Sequence, residues 1–429
     1  MEVFWRVVYN VVIMPFFIIA ARFYSLFDAK ARTGVKDRKG MFEQLSRDVE
    51  KLHQNGKPVI WFHCSSVGEL EQAKPIIAKI KHETSIVVSF FSPSWYESGI
   101  KYKDADVICY IPFDTAGNAR RMFQLIKPSL LVFIRFDVWP NHVWTAVKMN
   151  VPVVVADAGL HAESTRLRPV IRSFLKSVHK HIDIHCAISG SDAERLKRLC
   201  QEDADIRVMG DTRFDQVIAR KNSAGKKLEG LLPDFHVPVI IAGSTYTEDE
   251  QVVLDSYENI LKKWGKVQLI LVPHEPEPHR LNEIHEMMKQ RDLDYILLSQ
   301  VNRDSGLENK AVVVDCVGVL AELYMLGDIT FIGGSFHGKI HNVMEPAIMG
   351  KPVLFGPTIQ NSLEALMLRE TGSGIMVENS QQMTEELIKL LDDKNMLDNL
   401  GKKARALIES NAGATEKIVD CIRNLVINS

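Results

Sequence analysis

The stretch PVIWFHCSSVGE, residues 58–69, contains the clearest fold signal in the chain. Its first half is a run of apolar and aromatic residues typical of a buried strand, and the Ser-Ser-Val-Gly segment predicts a tight turn. A helical pattern then starts near Glu69 and continues through Lys81. A strand that turns directly into a helix is the first half of a β-α-β unit, so we expect a parallel sheet.

Short apolar runs of the same kind recur along the chain between helical patterns. A loop-like stretch at Asn222–Pro238 interrupts them, and 429 residues exceed the size at which one core usually stops growing. We therefore predict an α/β protein with two Rossmann-like doubly wound domains that face a cleft, the arrangement called GT-B. The domains are expected at residues 25–213 and 214–429, and the last helix, Thr415–Ile427, could pack on either. The predicted strands are Val59–His63, Ile86–Phe90, Val107–Ile111, Leu130–Ile134, Val153–Ala156, Cys186–Ser189, Val239–Ala242, Val267–Val272, Tyr295–Leu298, Val312–Asp315, Ile329–Ile332 and Pro352–Phe355.

The N-terminus differs from the rest because Val7–Ala21 carries no charge over 15 residues. A membrane span usually needs about 20 apolar residues, and Ala20-Ala21-Arg22 is a poor cleavage site for a secretory signal. We predict that residues 1–24 are an uncleaved anchor that is either tilted across the membrane or lies in its interface, with a buried helix as the alternative. The cations that follow predict that the body of the protein faces the cytoplasm. They are Arg22, Lys30, Arg32, Lys36, Arg38 and Lys39.

Charge and cysteine content exclude two classes of protein. The 52 Lys and Arg residues are balanced by 54 Asp and Glu residues, which provides no broad positive field for a nucleic acid. The six cysteines include no C-x-x-C pair, so we expect reduced, buried thiols instead of a disulfide framework or a zinc site. These cysteines are Cys64, Cys109, Cys186, Cys200, Cys316 and Cys421.

Several segments resemble motifs whose chemistry they cannot supply. Gly333–Lys339 is close to a P-loop, but Ile340 stands where the magnesium-binding hydroxyl belongs. His274–His279 has the wrong spacing for a zinc-protease helix and contains two prolines. Three further candidate metal ligands, His179, His181 and His185, have no carboxylate partner at a defined spacing. The pairs Asp104/Asp106 and Asp203/Asp205 stand just before strands, where turn residues are common. We therefore predict no metal.

Glu69 is the first residue that could carry chemistry. It lies just after a predicted strand, at the start of a helix, where the helix N-terminus stabilises negative charge by about 0.3–1 kcal/mol. We therefore predict an ionised carboxylate that can act as a general base. Ser66 and Gly68 in the same turn are candidate contacts for a phosphate or an acceptor. The alternative is that Glu69 merely caps the helix.

In the second half, candidate binding residues follow three predicted strands. Gly333 and Gly334 would let the backbone approach a phosphate closely, and Glu345 before Pro346 could accept hydrogen bonds from ribose hydroxyls. Gly243-Ser244-Thr245 ends another strand, and Thr245 with Glu248 is predicted to form a capping box. The hydroxyls of this segment could also hold a phosphate or an acceptor. Pro273-His274 could reach a nucleobase. Local capping and simple strand exits are the alternative explanations.

Together these segments resemble the bacterial Kdo (3-deoxy-D-manno-octulosonic acid) transferase family, in order along the whole chain. The most specific pieces are His63–Glu69, Val138–Asn141, Ala242–Thr245, His341–Pro346 and Lys351–Pro357. The resemblance implies an inverting transfer of Kdo from CMP-Kdo to a lipid A precursor at the cytoplasmic face of the inner membrane, without a cofactor or metal. It also places the catalytic base on Glu69. The CMP contacts that it implies are Pro273, His274, Val317, Gly318, Val319, Asn342, Val343, Met344 and Glu345.

The chain departs from the family pattern at three places. His274 stands where the family usually has arginine, and Arg135-Phe136-Asp137-Val138 replaces an acidic Glu-Thr-Glu-Leu. Gly318-Val319 replaces Gly-Glu, which leaves only the backbone there as a possible ligand. Two rival hypotheses remain: a membrane-associated GT-B transferase or epimerase that uses a UDP-sugar, and a tethered binding protein without activity in which Glu69 is only a cap.

Overall fold

The computed structural model describes residues 1–93, 96, 99–223, 235–302, 307 and 310–426. The chain divides into two compact units. The first contains Met1–Gln216 together with Ala412–Ser429, and the second contains Val217–Asn411. The C-terminal segment therefore belongs with the N-terminal half of the sequence.

The first unit contains a seven-stranded sheet in which every neighbouring pair is parallel. Its strands are β1 (Val59–His63), β2 (Ser85–Phe90), β3 (Val107–Tyr110), β4 (Leu130–Ile134), β5 (Val153–Ala158), β6 (Ile184–Ala187) and β7 (Ile206–Val208). They are arranged β3-β2-β1-β4-β5-β6-β7. The order reverses between β1 and β4, which makes the carboxyl ends of these two strands the expected ligand-binding edge.

Helices cover the first sheet. They are α1 (Glu2–Tyr24), α2 (Ala29–Asp37), α3 (Met41–Gln54), α4 (Val67–Ile80), α5 (Ala116–Ile126), α6 (Pro140–Lys148), α7 (Pro169–His179) and α8 (Gly190–Lys197), with a 3-10 turn at Thr165–Leu167. Successive side chains of β1 point to opposite faces, as the pleat requires. Trp61 packs against Phe123 on one face, while Phe62 shares a core with Ile77 and the C-terminal Ile422 on the other.

The second unit repeats this plan. Its strands are β8 (Val239–Thr245), β9 (Gln268–Pro273), β10 (Tyr295–Leu297), β11 (Ala311–Val313), β12 (Ile329–Ile332), β13 (Val353–Phe355) and β14 (Gly374–Met376). They form a second parallel sheet with the order β10-β11-β9-β8-β12-β13-β14. Here the reversal lies between β8 and β12, so their carboxyl ends form the equivalent edge.

Helix α9 (Thr212–Ser223) begins in the first unit and ends in the second. The second unit then contains α10 (Thr247–Lys263), α11 (Pro278–Gln290), α12 (Leu320–Leu326), α13 (Met344–Ile348), α14 (Leu363–Glu370), α15 (Ser380–Asp392) and α16 (Lys394–Ser410), with a 3-10 turn at Leu298–Gln300. Helix α17 (Ala414–Val426) returns to the first unit.

The predicted α/β class with two doubly wound parallel sheets is confirmed. All twelve predicted strands are present, with ends shifted by a few residues, and most of them are buried at their central positions and therefore apolar. The prediction missed β7 and β14. β7 is largely exposed and includes Arg207, so it shows no apolar run, and β14 begins with a glycine and contains only two apolar side chains.

Helix α1 contains a π-helical segment at Tyr9–Ile13. Tyr9 and Met14 are buried against the first unit, whereas most other apolar side chains of the helix are exposed. Within the described residues, α1 is the one helix long and apolar enough to cross a membrane, by length and composition alone. The predicted 1–24 segment is therefore helical and carries an apolar exposed surface.

Candidate active site

Glu69 lies in the first turn of α4, directly after the carboxyl end of β1. Ser66 is the N-cap, and its hydroxyl accepts a hydrogen bond from the Glu69 N–H at 3.1 Å. The sequence predicted a helix start near Glu69; it lies at Val67 instead, so Gly68 is in the first turn and exposed. The Glu69 residue is only 8% exposed, and its carboxylate accepts a hydrogen bond from the Ser65 N–H.

A second carboxylate reaches the same serine from the end of β4. The Ser65 hydroxyl donates to Asp137, and the Trp139 indole Nε1 donates to the same Asp137 oxygen at 3.3 Å. Ser65 therefore holds Glu69 through its backbone and Asp137 through its side chain. In the sequence, Asp137 is marked only as part of the Arg135-Phe136-Asp137-Val138 segment that departs from the family pattern. Its position after the strand beside β1 is the signal that could have identified it.

Burial changes the charge state that we expected for Glu69. Loss of solvent raises the pKa of its carboxyl to about 7, the negative charge of Asp137 raises it too, and the Ser65 N–H and Arg135 act in the opposite direction. The carboxylate was predicted to stay ionised at neutral pH, but with this pKa only part of it is ionised there, because burial outweighs the helix N-terminus. A pKa near the working pH is what general-base catalysis favours.

Two guanidinium groups accompany these carboxylates. Arg135 follows β4 with a φ of +65°, and its buried Nε has no hydrogen-bond partner among the described residues. The Arg166 guanidinium lies 4.1 Å from the centre of the Phe136 ring. Burial lowers the pKa of Arg166, and the negative charges of Asp137 and Glu69 oppose that shift. This edge can therefore receive an anionic group as well as remove a proton.

His63 is buried next to Ser65. Its Nδ1 is 3.0 Å from the Ser89 hydroxyl, and its Nε2 is 3.4 Å from the Ser65 hydroxyl. Burial lowers the pKa of His63 to about 4, so the ring is neutral at physiological pH. A neutral imidazole can accept or donate a hydrogen bond here without adding a charge next to Glu69.

In the second unit, Asp249 organises the edge between β8 and β12. Its buried carboxylate accepts hydrogen bonds from the N–H groups of Gly334 at 2.7 Å, Tyr246 at 2.9 Å and Phe336 at 3.1 Å. The capping box therefore pairs Tyr246 with Asp249, and the prediction of Thr245 with Glu248 is wrong. The Thr245 hydroxyl instead donates to buried Glu250 at 3.0 Å.

The glycine turn after β12 is used for packing within the protein. The Gly333 N–H donates to the carbonyl of Gly243 at 2.9 Å, and a Cβ at Gly333 would collide with the backbone of Ser244. Gly334 has a φ of +88°, which only glycine adopts readily, and its N–H is bound to Asp249. Neither amide is open to a phosphate, contrary to the role we expected for these two glycines.

Four rings form a stack at the same edge. The centres of Tyr246 and His337 are 4.2 Å apart, as are those of His274 and His341, and Tyr246 lies 5.1 Å from His274. Burial and the neighbouring cationic groups lower the pKa of His341 to about 4. The stack supplies flat ring surfaces, to which a nucleobase binds well.

The other expected donor contacts lie in this unit. Glu345 is in the first turn of α13 and accepts a hydrogen bond from the Arg220 guanidinium at 2.7 Å. The Asn342 side chain accepts from the Met344 N–H at 3.0 Å, and Val343 and Met344 are buried. Pro273 is the last residue of β9. The segment before α12, Val317–Val319 with Gly318 between them, is largely exposed.

Among the residues that the structure describes, these two edges contain no group of three His, Cys, Asp or Glu side chains that could hold a metal ion. The suspected Asp-x-Asp pairs occupy ordinary structural positions. Asp104 pairs with Lys81 at 2.7 Å, and Asp106 accepts the Ile86 N–H at 2.7 Å. Asp205 forms an ion pair with Arg207, so it too has a local partner.

Comparisons with known proteins show which proteins the chain is similar to. Residues 33–216 match the family model of 3-deoxy-D-manno-octulosonic-acid transferase (kdotransferase). The 3-deoxy-D-manno-octulosonic acid transferase of Haemophilus influenzae is 26% identical over 85% of this chain and 86% of its own length. That of Aquifex aeolicus is 28% identical over 90% of this chain and 99% of its own length.

Solved structures share the fold. A glycosyltransferase from Rickettsia africae has a TM-score of 0.56 and 12% identity, and covers 87% of this chain and all of its own. A UDP-GlcNAc 2-epimerase from Neisseria meningitidis bound to UDP-GlcNAc has a TM-score of 0.57 and 14% identity, with the same coverage. At such identities these structures show the GT-B fold alone. The matched segment and the relatives that align along most of the chain show that it is similar to bacterial Kdo transferases.

Proposed function

We propose that this chain transfers Kdo from CMP-Kdo to the lipid A precursor lipid IVA in lipopolysaccharide biosynthesis, with inversion at the anomeric carbon and with Glu69 as the general base. The observation that carries the proposal is the Glu69 carboxyl at the carboxyl end of β1, buried, hydrogen-bonded to Ser65 and with a pKa raised to about 7. The similarity to Kdo transferases supports the choice of sugar, and this carboxyl supports the choice of base.

In the proposed reaction, the Glu69 carboxylate takes the proton of an acceptor hydroxyl. The hydroxyl oxygen attacks the anomeric carbon of Kdo, and the bond from that carbon to the phosphate oxygen breaks on the opposite face. CMP leaves with the bonding electrons. Glu69 then releases the proton to solvent, which its raised pKa permits near neutral pH.

The surroundings of Glu69 support this role. Asp137 raises the affinity of Glu69 for a proton, because two carboxylates bound to one serine repel each other when both are ionised. Arg135 and Arg166 offset the excess negative charge. We expect these guanidinium groups to attract the anionic parts of the substrates, since both Kdo and lipid A precursors carry negative charge.

The donor nucleotide is proposed to bind at the edge between β8 and β12. Tyr246, His274 and His341 offer ring faces for the base, and Glu345 offers a carboxylate for ribose hydroxyls. Because both glycine amides of Gly333 and Gly334 are already used, the phosphate has to rely on other groups. We propose that no metal takes part, since cationic and amide groups can stabilise the single phosphodiester that is lost.

The membrane anchor is proposed to lie in the plane of the inner membrane at its cytoplasmic face. Polar contacts bind α1 to the first unit along its N-terminal half. Trp5 Nε1 donates to the Ser173 hydroxyl at 3.1 Å, the Tyr9 hydroxyl donates to buried Asp114 at 2.9 Å, and Asn10 pairs with Asn141.

A helix that crossed the bilayer would lose all of these contacts. An interfacial helix keeps them and still places its free apolar face in the lipid. That face consists of Val3, Phe4, Val7, Val11, Val12, Phe16, Ile19 and Phe23.

The reaction is tested by incubating the purified protein with CMP-Kdo, generated in situ, and lipid IVA, and by following the product mass. We expect a gain of one or more Kdo masses with the wild type and almost none with Glu69→Gln, while both bind CMP equally. A mass gain with UDP-sugars in place of CMP-Kdo, and none with CMP-Kdo, would reject the proposed donor. Full activity of Glu69→Gln would reject the base.

A further inference from the structure

A cluster of metal-binding side chains lies in the first unit outside the residues described above. His179 ends α7, His185 lies in β6, and Cys200 follows α8. His179 Nδ1 is 2.9 Å from His185 Nε2, and Cys200 Sγ is 3.6 Å from the same His185 nitrogen. The three candidate ligand atoms lie within 4.8 Å of one another. Both histidines were candidate ligands from the sequence, but no defined spacing connects them with Cys200.

All three side chains are withdrawn from water. His179, His185 and Cys200 are 3%, 0% and 1% exposed. Burial lowers the pKa of both imidazoles, to about 4 for His185, so each ring is neutral and has a lone pair for a metal. Burial raises the pKa of the Cys200 thiol to about 12, although the nearby Lys176 charge favours the thiolate. A bound metal ion displaces the thiol proton directly.

A hydrogen bond between the two imidazoles explains only part of this arrangement. It accounts for one nitrogen of each ring, and it leaves the sulfur beside the nitrogen that already has a partner. Buried polar groups are normally paired, so packing alone is a poor reason for three such groups to meet here.

We propose that His179, His185 and Cys200 bind one thiophilic d10 metal ion, Zn²⁺ or Cu⁺. Zinc bonds of about 2.0–2.1 Å to nitrogen and 2.3 Å to sulfur place tetrahedral ligand atoms about 3.3–3.6 Å apart. The distance of 3.6 Å between Cys200 Sγ and His185 Nε2 fits this range. The distance of 2.9 Å between His179 Nδ1 and His185 Nε2 has to increase only slightly. Imidazole and thiolate are ligands that both zinc and copper accept.

The site has a structural consequence for the anchor. His179 is followed at once by Lys180 and His181, which both bind the Glu2 carboxylate at the start of α1, the latter at 3.0 Å. A metal ion would fix the end of α7 to β6 and to the segment after α8. It would therefore hold the surface on which the N-terminal helix docks.

The test measures the metal content of the full-length, untagged protein, purified under reducing conditions, by elemental mass spectrometry. Cys200→Ser and His185→Gln are compared with Cys109→Ser, which removes another buried thiol from the same unit. We expect about one equivalent of zinc or copper in the wild type and in Cys109→Ser, and at least a 10-fold loss in the other two variants. Titration of each metal separately, Cu⁺ under anaerobic conditions, identifies the ion. The same metal content in all four proteins would overturn the proposal.

A second readout covers the case in which the variants fold poorly. Co²⁺ added to the wild type after metal removal should produce a thiolate-to-cobalt charge-transfer band in the near ultraviolet. Absence of that band in folded wild-type protein would also overturn the proposal, whatever the variants do. Neither measurement depends on transferase activity, so failure here is separable from failure of the proposed reaction.

Discussion

The raised pKa of Glu69 makes a quantitative prediction about the pH dependence of transfer. If the carboxyl has a pKa of about 7, the ionised base increases from about 10% of the enzyme at pH 6 to about 90% at pH 8. We therefore expect kcat/KM to rise about 10-fold over this range, because only the ionised form can accept the acceptor proton. A glutamate with an ordinary pKa would already be about 97% ionised at pH 6, and the rate would stay nearly flat.

The assay measures initial rates of Kdo addition with CMP-Kdo at saturation and lipid IVA below its KM, between pH 5.5 and 9. Phosphates of the lipid also titrate near neutrality, so a control must distinguish enzyme from substrate. Asp137→Asn removes a charge that raises the pKa of Glu69, and should move the ascending limb to lower pH. A substrate phosphate would not respond to this change. A limb that stays at the same pH in Asp137→Asn, or persists in the residual activity of Glu69→Gln, would refute the reasoning.

Three further predictions concern stability and donor binding. The folded pKa of Glu69 lies above the value of 4.5 for an exposed glutamate, so this group destabilises the fold as pH rises from 4.5 to 7. At pH 8, Glu69→Gln should therefore have a free energy of unfolding up to about 3 kcal/mol higher than wild type, and a higher Tm, with no advantage at pH 4. An equal Tm at pH 8 would contradict this. Asp249→Ala leaves the N–H groups of Gly334, Tyr246 and Phe336 without their acceptor. We therefore expect the free energy of unfolding, measured with denaturant, to fall by about 3 kcal/mol or more. Calorimetry should show loss of CMP binding, and Asp249→Asn should be intermediate in both measurements. His274→Arg introduces at the ring stack the positive charge that Kdo transferases usually have there. It should lower the KM for CMP-Kdo about 5-fold, since a charged hydrogen bond is stronger than a neutral one by about 1 kcal/mol. An unchanged KM would place His274 outside the donor site.

The sequence was sufficient for the parts of the fold that local patterns determine. Buried parallel strands are apolar at nearly every position, so β1 and β8 could be located without knowledge of their neighbours. The serine turn before Glu69 also predicted the carboxylate at a strand end, because capping is a short-range interaction. β7 lacked this signal, since its exposed residues carry no apolar run.

The charge state and partners of the site residues could not be predicted in this way. The pKa of Glu69 depends on its burial and on Asp137, which is 68 positions further along the sequence and shares Ser65 with it. The same holds for Cys200, which lies close to His179 and His185 only in the folded structure. At Gly333 and Gly334 the sequence suggested ligand binding, whereas the tertiary structure uses both residues for backbone contacts.

The return of α17 to the first unit has a consequence for synthesis on the ribosome. Ile418 and Ile422 of this helix complete a core that contains Ile76 and Phe62, yet about 200 residues of the second unit are translated in between. At about 5–20 residues per second, the nascent first unit waits about 10–40 s with that apolar surface uncovered. The second unit can be expressed as one contiguous fragment, whereas a first unit cut at Gln216 would lack its cover and need residues 412–426 fused back or supplied as a separate peptide.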